Sequence, residues 1–257
     1  DHRDLHRVDR RQRQMCIRDR CHSAVIACRA VYCKGRLAFH RRFGLSVAMA
    51  QKTPNLDDAY GIKTSGDNAR LYAEWAESYD ASFAAQMHYT LPEAMAEAFI
   101  AAGGTAPVLD LGAGTGLLGQ ALADRGVSPL DGTDISPQML AVAEDKQLYR
   151  GVFIGDLTAR LPVADGSYLG VISAGTFTTG HVGPEALDEV LRVACPGAVI
   201  GMTINARYWK SAGFAAKFAA LSSQITGFML QDVAIYGVGA EGAHKDDLAK
   251  IALFQKL

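Results

Sequence analysis

From Asn68 onward, apolar residues first recur at helical spacing and then fall into short runs that alternate with helical stretches. Leu71, Trp75 and Tyr79 stand at i, i+4 and i+8 with Tyr72 beside them, which predicts a helix over Asn68–Ala85 with one aromatic face. Met49–Asp67 is polar, contains Pro54 and reads as a loose lead-in. Pro92 opens a second predicted helix, PEAMAEAFIAAG, closed by Gly103-Gly104. Four short apolar runs follow, each of strand length: Pro107–Leu111, Leu130–Thr133, Gly151–Ile154 and Tyr168–Ser173. Between them lie predicted helices from Gly116 to Arg125 and from Pro137 to Lys146. A helix over Pro184–Ala194, a Cys195-Pro196-Gly197 turn, a strand over Ala198–Ile204 and a helix over Ala212–Ser223 complete the alternation. This pitch predicts an α/β fold with a doubly wound, mostly parallel sheet. Residues 225–237 and 248–256 have no helical stretch between them, so they predict an antiparallel hairpin at the edge of a seven-stranded sheet. No run of about 18 apolar residues occurs, and no membrane span is predicted.

Charge divides the chain in two. Residues 1–48 hold 12 of the 26 Lys and Arg but only four of the 27 Asp and Glu, while the formal charge of the whole is −1. From Met49 to Leu257 the remainder is therefore 14 basic against 23 acidic groups, a net −9. The first segment fits no targeting or binding class. Asp1, Asp4, Asp9 and Asp19 cancel phosphate attraction among its arginines. It has more acids than a transit peptide, and Arg29 breaks its apolar stretch. Cys16, Cys21, Cys28 and Cys33 lack the C-x2-C spacing of a structural zinc site. Reverse-translated, Asp1–His6 and Arg10–Asp19 resemble the two constant parts of a transposase-type sequencing-library adapter, and Arg7–Asp9 falls where its variable index sits. We expect residues 1–48 to be non-native and disordered, with Met49 as the natural start. The expected organisation is then a helical lead-in and cofactor lid over residues 49–104 and one ligand-binding domain over residues 105–257.

The strongest motif is Val108-Leu109-Asp110-Leu111-Gly112-Ala113-Gly114-Thr115-Gly116, an apolar strand ending in an acid and then alternating glycines at a helix start. Glycines there let a ligand approach the backbone closely. Gly114–Gly119 also spells G-x-G-x-x-G, which keeps a dinucleotide site open. That reading starts the loop two residues late and leaves Asp110 unexplained, since a carboxylate repels a pyrophosphate but attracts a ligand carrying an amino group. Asp134, 24 residues after Asp110, stands at the tip of the second strand, where a carboxylate accepts ribose hydroxyls. Ser136, before Pro137, is the better helix cap.

The Asp110-x-Gly112-x-Gly114-x-Gly116 loop resembles the first motif of class I S-adenosylmethionine-dependent methyltransferases, and the resemblance runs from about Leu71 to Leu257. It implies a Rossmann-like methyltransferase fold with S-adenosyl-L-methionine as cofactor and S-adenosyl-L-homocysteine as product. It implies that Asp110, Gly112, Ala113, Gly114 and Gly116 serve the amino-acid end of the cofactor. Asp134 and Ile135 would serve the ribose, followed by the helix of Met139. Gly155-Asp156-Leu157 resembles the adenine site, with Asp156 alternatively an exposed turn residue. Ser173 and Ala174 stand at a strand tip that this family places beside cofactor and acceptor. Tyr72-x-x-Trp75-Ala76-x-x-Tyr79-Asp80, together with Thr178–Gly183, is similar to the Williams–Beuren-region methyltransferase-like subgroup. In that reading Tyr79 sits near the methionine end, the alternative being ordinary helix-on-sheet packing.

Methyl transfer from a sulfonium needs an in-line acceptor about 3 Å away, and a base only where the acceptor loses a proton. His181 is the candidate base, against a satisfied loop histidine. The net −9 and the lack of an Asn-Pro-Pro-Tyr-like motif point away from nucleic acid and toward a small-molecule acceptor. No metal constellation and no membrane partner are expected, and the oligomeric state is not legible. One cysteine, Cys195, in Met49–Leu257 fits a reducing, cytoplasmic setting. The rival readings are a nicotinamide-dependent oxidoreductase using Gly114–Gly119 and a non-catalytic S-adenosylmethionine-binding protein.

Overall fold

The structure, a computed structural model, describes residues 54, 58, 59, 61, 62 and 64–257. The expectations for residues 1–48 and for the start at Met49 lie outside them. Seven strands form one sheet: β1 (Val108–Leu111), β2 (Leu130–Asp134), β3 (Gly151–Ile154), β4 (Tyr168–Phe177), β5 (Ala194–Asn205), β6 (Ile225–Ala234) and β7 (Leu248–Lys256). Their order is β3-β2-β1-β4-β5-β7-β6. β3 to β5 run parallel, whereas β7 is antiparallel to both β5 and β6. The closing hairpin thus inserts β7 and leaves β6 as the edge.

Seven α-helices surround the sheet among the described residues: α1 (Ser65–Trp75), α2 (Leu91–Ala101), α3 (Leu117–Asp124), α4 (Pro137–Asp145), α5 (Leu187–Val193), α6 (Ala206–Ser211) and α7 (Phe214–Ala220). Strand alternation sorts the core into two layers. Val108 and Val199 join Met95 and Phe99 of α2 and Leu118 and Leu122 of α3. Leu109, Ile200 and Met202 join Leu187 and Leu191 of α5 and Phe214 and Phe218 of α7 on the other face. None of these helices is long and apolar enough to cross a membrane.

The sequence pattern differs from the structure at four places. The single helix expected over Asn68–Ala85 ends at Trp75 and resumes as a π-helical turn, Asp80–Ala84. The widened turn falls where Asp80 is bound by groups outside its own segment (below), so tertiary contacts override local propensity. The helix expected over Ala212–Ser223 is instead α6 and α7. Gly213, at φ +84°, interrupts it, and Asn205 Oδ1 starts α6 by accepting from the Arg207 and Tyr208 N–H groups. β5 begins at Ala194, because Pro196-Gly197 loops out as a strand irregularity between the Tyr168–Ala194 and Gly170–Val199 pairs. β4 extends to Phe177 through a second irregularity, which puts four residues, Ala174 to Phe177, against two of β5. Such bulges re-aim side chains next to sites. Cys195 is buried.

Candidate functional site

Where β1 and β4 lie side by side and the chain departs in opposite directions, a cleft opens at the carboxyl ends of the strands, the usual ligand position in a doubly wound sheet. Its floor is the loop between β1 and α3. Gly114 has φ +54°, and a Cβ placed there would project into open space, so the loop presents bare backbone to the cleft. A Cβ at Gly112 would meet Thr176 Oγ1 at 2.1 Å, so this glycine lets the bulged tip of β4 close against the loop.

The tips of β2 and β3 supply two carboxylates to the wall. Asp134 Oδ2 accepts from the Gly114 N–H at 2.9 Å and Oδ1 from the Ser136 N–H at 2.9 Å. Each oxygen keeps a further lone pair. Burial raises the Asp134 pKa, against the pull of the backbone donors Ser136, Gly114 and Ile135. Ser136 also caps α4 by accepting from the Met139 N–H. Asp156 Oδ1 accepts from the Thr158 N–H and hydroxyl, a turn role, while Oδ2 has no partner among the described residues. The cleft is lined by Gly112, Ala113 and Gly114 of the loop, by Asp134, Ile135 and Met139 after β2, and by Asp156, Leu157 and Ala174.

Three expected residues stand behind the wall. Ser173 is fully buried and donates to the Leu111 carbonyl at 2.7 Å, tying β4 to β1. Gly116 starts α3 and faces the Tyr149 ring. Asp110 is 1% exposed, so the direct contact expected with a ligand amino group is not offered by this geometry. Its Oδ2 accepts from the Tyr149 hydroxyl at 2.8 Å, and Oδ1 is buried without a hydrogen-bond partner. Burial pushes the Asp110 pKa up from 3.8 to about 7 despite the Tyr149 bond.

Tyr149 is the main residue that the sequence reading missed. A Cβ at Gly119 would lie 2.2 Å from its hydroxyl, and Gly132 and Gly116 also pack against its ring. The last glycine of G-x-G-x-x-G therefore makes room for a tyrosine under the loop. A lone aromatic between α4 and β3 gave no sequence signal, because only the fold brings three glycines around it.

The lead-in covers the cleft from above. Tyr72 and Tyr79 line it, and Tyr79 meets Trp75 edge-on and Phe83 at a tilt, with ring centroids 5.1 and 5.0 Å apart. Burial raises the Tyr79 pKa well above its ordinary value. Asp80 latches this segment to the loop: the Thr115 hydroxyl donates to Oδ1 at 2.5 Å and Lys146 Nζ to Oδ2 at 2.6 Å. Partly exposed pairs of this kind contribute about 1 kcal/mol. Asp80→Ala is expected to speed release of a cleft-bound nucleoside ligand about five- to tenfold with little change in its association rate; stopped-flow displacement measures this, and an unchanged off-rate rejects the latch.

His181 closes one side. Its Nδ1 lies 3.1 Å from the Thr179 carbonyl, an acceptor only, so Nδ1 carries the proton. Nε2 is then the acceptor for the Tyr72 hydroxyl at 3.2 Å. Burial lowers the His181 pKa, against the opposite pull of Thr179, so the ring is neutral near pH 7. Among the described residues no three His, Cys, Asp or Glu side chains gather as a metal site.

Comparisons with known proteins agree with this architecture. The family described as Methyltransferase domain matches residues 108–197, the stretch from the glycine loop through the start of β5. Methyltransferase-like protein 27 of Homo sapiens is 31% identical over 150 residues, which cover 56% of this chain and 60% of that protein. The 18S rRNA (guanine-N(7))-methyltransferase of Bos taurus is 42% identical over 66 residues, 26% of this chain and 23% of its own length. The chain thus spans less than two thirds of both relatives. The crystal structure of the [4+2]-cyclase SpnF superposes with a TM-score of 0.56 at 16% identity, covering 76% of this chain and 96% of that one, and so shares the fold. Residues 108–197 thus match a methyltransferase domain, and the seven-stranded, mostly parallel sheet that carries them is the Rossmann-like fold shared with such proteins.

Proposed function

We propose that the protein is an S-adenosylmethionine-dependent methyltransferase acting on a small molecule. The observation that carries this reading is the cleft itself: a bare glycine backbone at Gly112–Gly114 flanked by the Asp134 carboxylate, under a latched aromatic lid. An open cradle beside buried carboxylates fits a cationic nucleoside and not a pyrophosphate, whose place at the Gly114 N–H Asp134 already takes. S-adenosylmethionine supplies an electrophilic methyl group on a positive sulfur. In this reading Asp134 accepts the ribose hydroxyls, with Ile135 and Met139 beside the ring. Asp156 Oδ2 accepts the adenine amino group next to Leu157. Gly112, Ala113 and Gly114 hold the amino-acid end under Tyr79, and Asp110 acts from beneath the loop. His181 Nε2 receives a proton where the acceptor must lose one, the acceptor replacing the Tyr72 hydroxyl as its donor.

The net −9 of Met49–Leu257 favours a small-molecule acceptor over the nucleic acid named for the Bos taurus relative. Calorimetry tests the cofactor: S-adenosylhomocysteine is expected to bind and NAD(P) not, and the reverse restores the oxidoreductase reading. Labelled methyl transfer to a metabolite extract, compared with transfer to RNA, tests the acceptor. Incorporation into RNA alone overturns the small-molecule assignment, and none into either leaves a non-catalytic binding protein.

A further inference from the structure

A second cavity adjoins the cleft, and Tyr72, Tyr79, Tyr89, Gly175 and His181 line both. Its walls are aromatic: Phe83, Phe177 and Tyr236 join the three tyrosines. Phe83 stands 5.6 Å from Tyr89 and edge-on to Tyr236 at 6.1 Å, so the rings form one continuous lining. Among the described lining residues there is no Asp, Glu, Lys or Arg.

Among the polar groups of this chamber with no partner in the described residues is the amide nitrogen of Asn205. Asn205, 7% exposed, ends β5 and lines the cavity. Its Oδ1 is spent on the cap of α6, accepting from the Arg207 and Tyr208 N–H groups at 3.0 and 3.2 Å. That fixes the amide orientation, because only oxygen accepts. Nδ2 is left with no hydrogen-bond partner among the described residues. The neighbouring Thr203 hydroxyl oxygen accepts from the Gly175 N–H at 2.8 Å. At the mouth shared with the cleft stands His181, whose Nε2 is an acceptor.

We infer that this chamber binds the methyl acceptor and that the acceptor is an uncharged aromatic compound bearing a hydroxyl group. The inference rests on the methyltransferase reading of the adjoining cleft. Aromatic walls match a flat apolar ring by stacking and edge contacts. An unpaired donor on the cavity wall, such as Asn205 Nδ2, favours a ligand with an oxygen acceptor. Burial of an anion or a cation without a countercharge is strongly unfavourable, and ring faces alone compensate a cation only in part. The ligand hydroxyl then faces His181: as its oxygen takes the methyl group, the carbon–sulfur bond of the sulfonium breaks and leaves a neutral thioether, and the hydroxyl proton goes to Nε2 when the ligand replaces the Tyr72 hydroxyl as its donor.

The test is calorimetric titration of the S-adenosylhomocysteine-loaded protein with 4-ethylphenol, 4-ethylbenzoate and 4-ethylbenzylammonium. 4-Ethylphenol is expected to bind at least about tenfold more tightly than either charged probe. Asn205→Asp keeps the capping oxygen and removes the donor, and is expected to weaken 4-ethylphenol about fivefold or more. Ala249→Leu fills the chamber and is expected to abolish its binding, while S-adenosylhomocysteine affinity, which reports the fold, stays within about threefold. Equal or tighter binding of a charged probe overturns the assignment, as does 4-ethylphenol binding that neither substitution affects. S-adenosylhomocysteine binding without 4-ethylphenol binding overturns the chamber alone. Failure of S-adenosylhomocysteine to bind the unsubstituted protein overturns the cofactor reading beneath it.

Discussion

Asp134→Ala is expected to raise the Kd for S-adenosylhomocysteine about a hundredfold. Two losses combine. The side chain faces the cleft with lone pairs for the ribose hydroxyls, and charge-assisted hydrogen bonds of that kind contribute about 1.5–3 kcal/mol. The same carboxylate holds the Gly114 and Ser136 N–H groups at 2.9 Å, so its removal also frees the glycine loop and the entry to α4. Asp134→Asn separates the two roles. One amide oxygen keeps one backbone donor, whereas the NH2 group faces the other N–H and repels it. Its Kd is expected to fall between those of the parent and the alanine variant. Calorimetry of all three decides it, and an alanine variant that binds like the parent removes Asp134 from the site.

How much of this was legible follows from the range of the interactions involved. Strands such as Val108–Leu111 and Leu130–Asp134 are apolar runs bounded by turn residues, and β1, β2 and the cap at Ser136 appear within a residue of their expected places. The residues that present backbone or carboxylate to the cleft, such as Gly114 and Asp134, follow strands directly, so the topology fixes where they go. What was not legible depends on contacts distant in sequence. Asp80 meets Thr115 35 residues on and Lys146 66 residues on, and Tyr149 reaches Asp110 39 residues back. Asn205 stands just past the strand expected over Ala198–Ile204, and its role as cap appears only once α6 exists. Asp110 shows the converse limit. Its place at a strand tip was correct, but one side of a strand faces the cleft and the other the core, and a motif does not say which oxygen is covered by a later tyrosine.

That covered acid gives the second large effect, a stability change with a definite sign in pH. Burial holds the Asp110 pKa at about 7 against 3.8 in the unfolded chain. The folded-state value is the higher one, so the group favours folding fully only below about pH 3.8, and that contribution is lost as pH rises toward about 7. The rise corresponds to a penalty of about 4 kcal/mol for the ionised acid. Asp110→Asn removes the charge yet leaves an oxygen to accept from Tyr149. Urea unfolding is therefore expected to give near-equal stabilities around pH 4, with the asparagine variant ahead by up to about 4 kcal/mol around pH 8. A parent protein that gains on the variant as pH rises contradicts the shift. The same variant, titrated with S-adenosylhomocysteine, tells why a costly acid stands there. A buried carboxylate with one unpaired oxygen is retained at the expense of stability where a ligand's positive charge compensates it. Higher stability together with at least about tenfold weaker binding assigns Asp110 to the cofactor through the loop. Higher stability with unchanged binding leaves Asp110 as the packing partner of Tyr149, and the amino-acid end of the ligand then depends on the loop backbone and Tyr79.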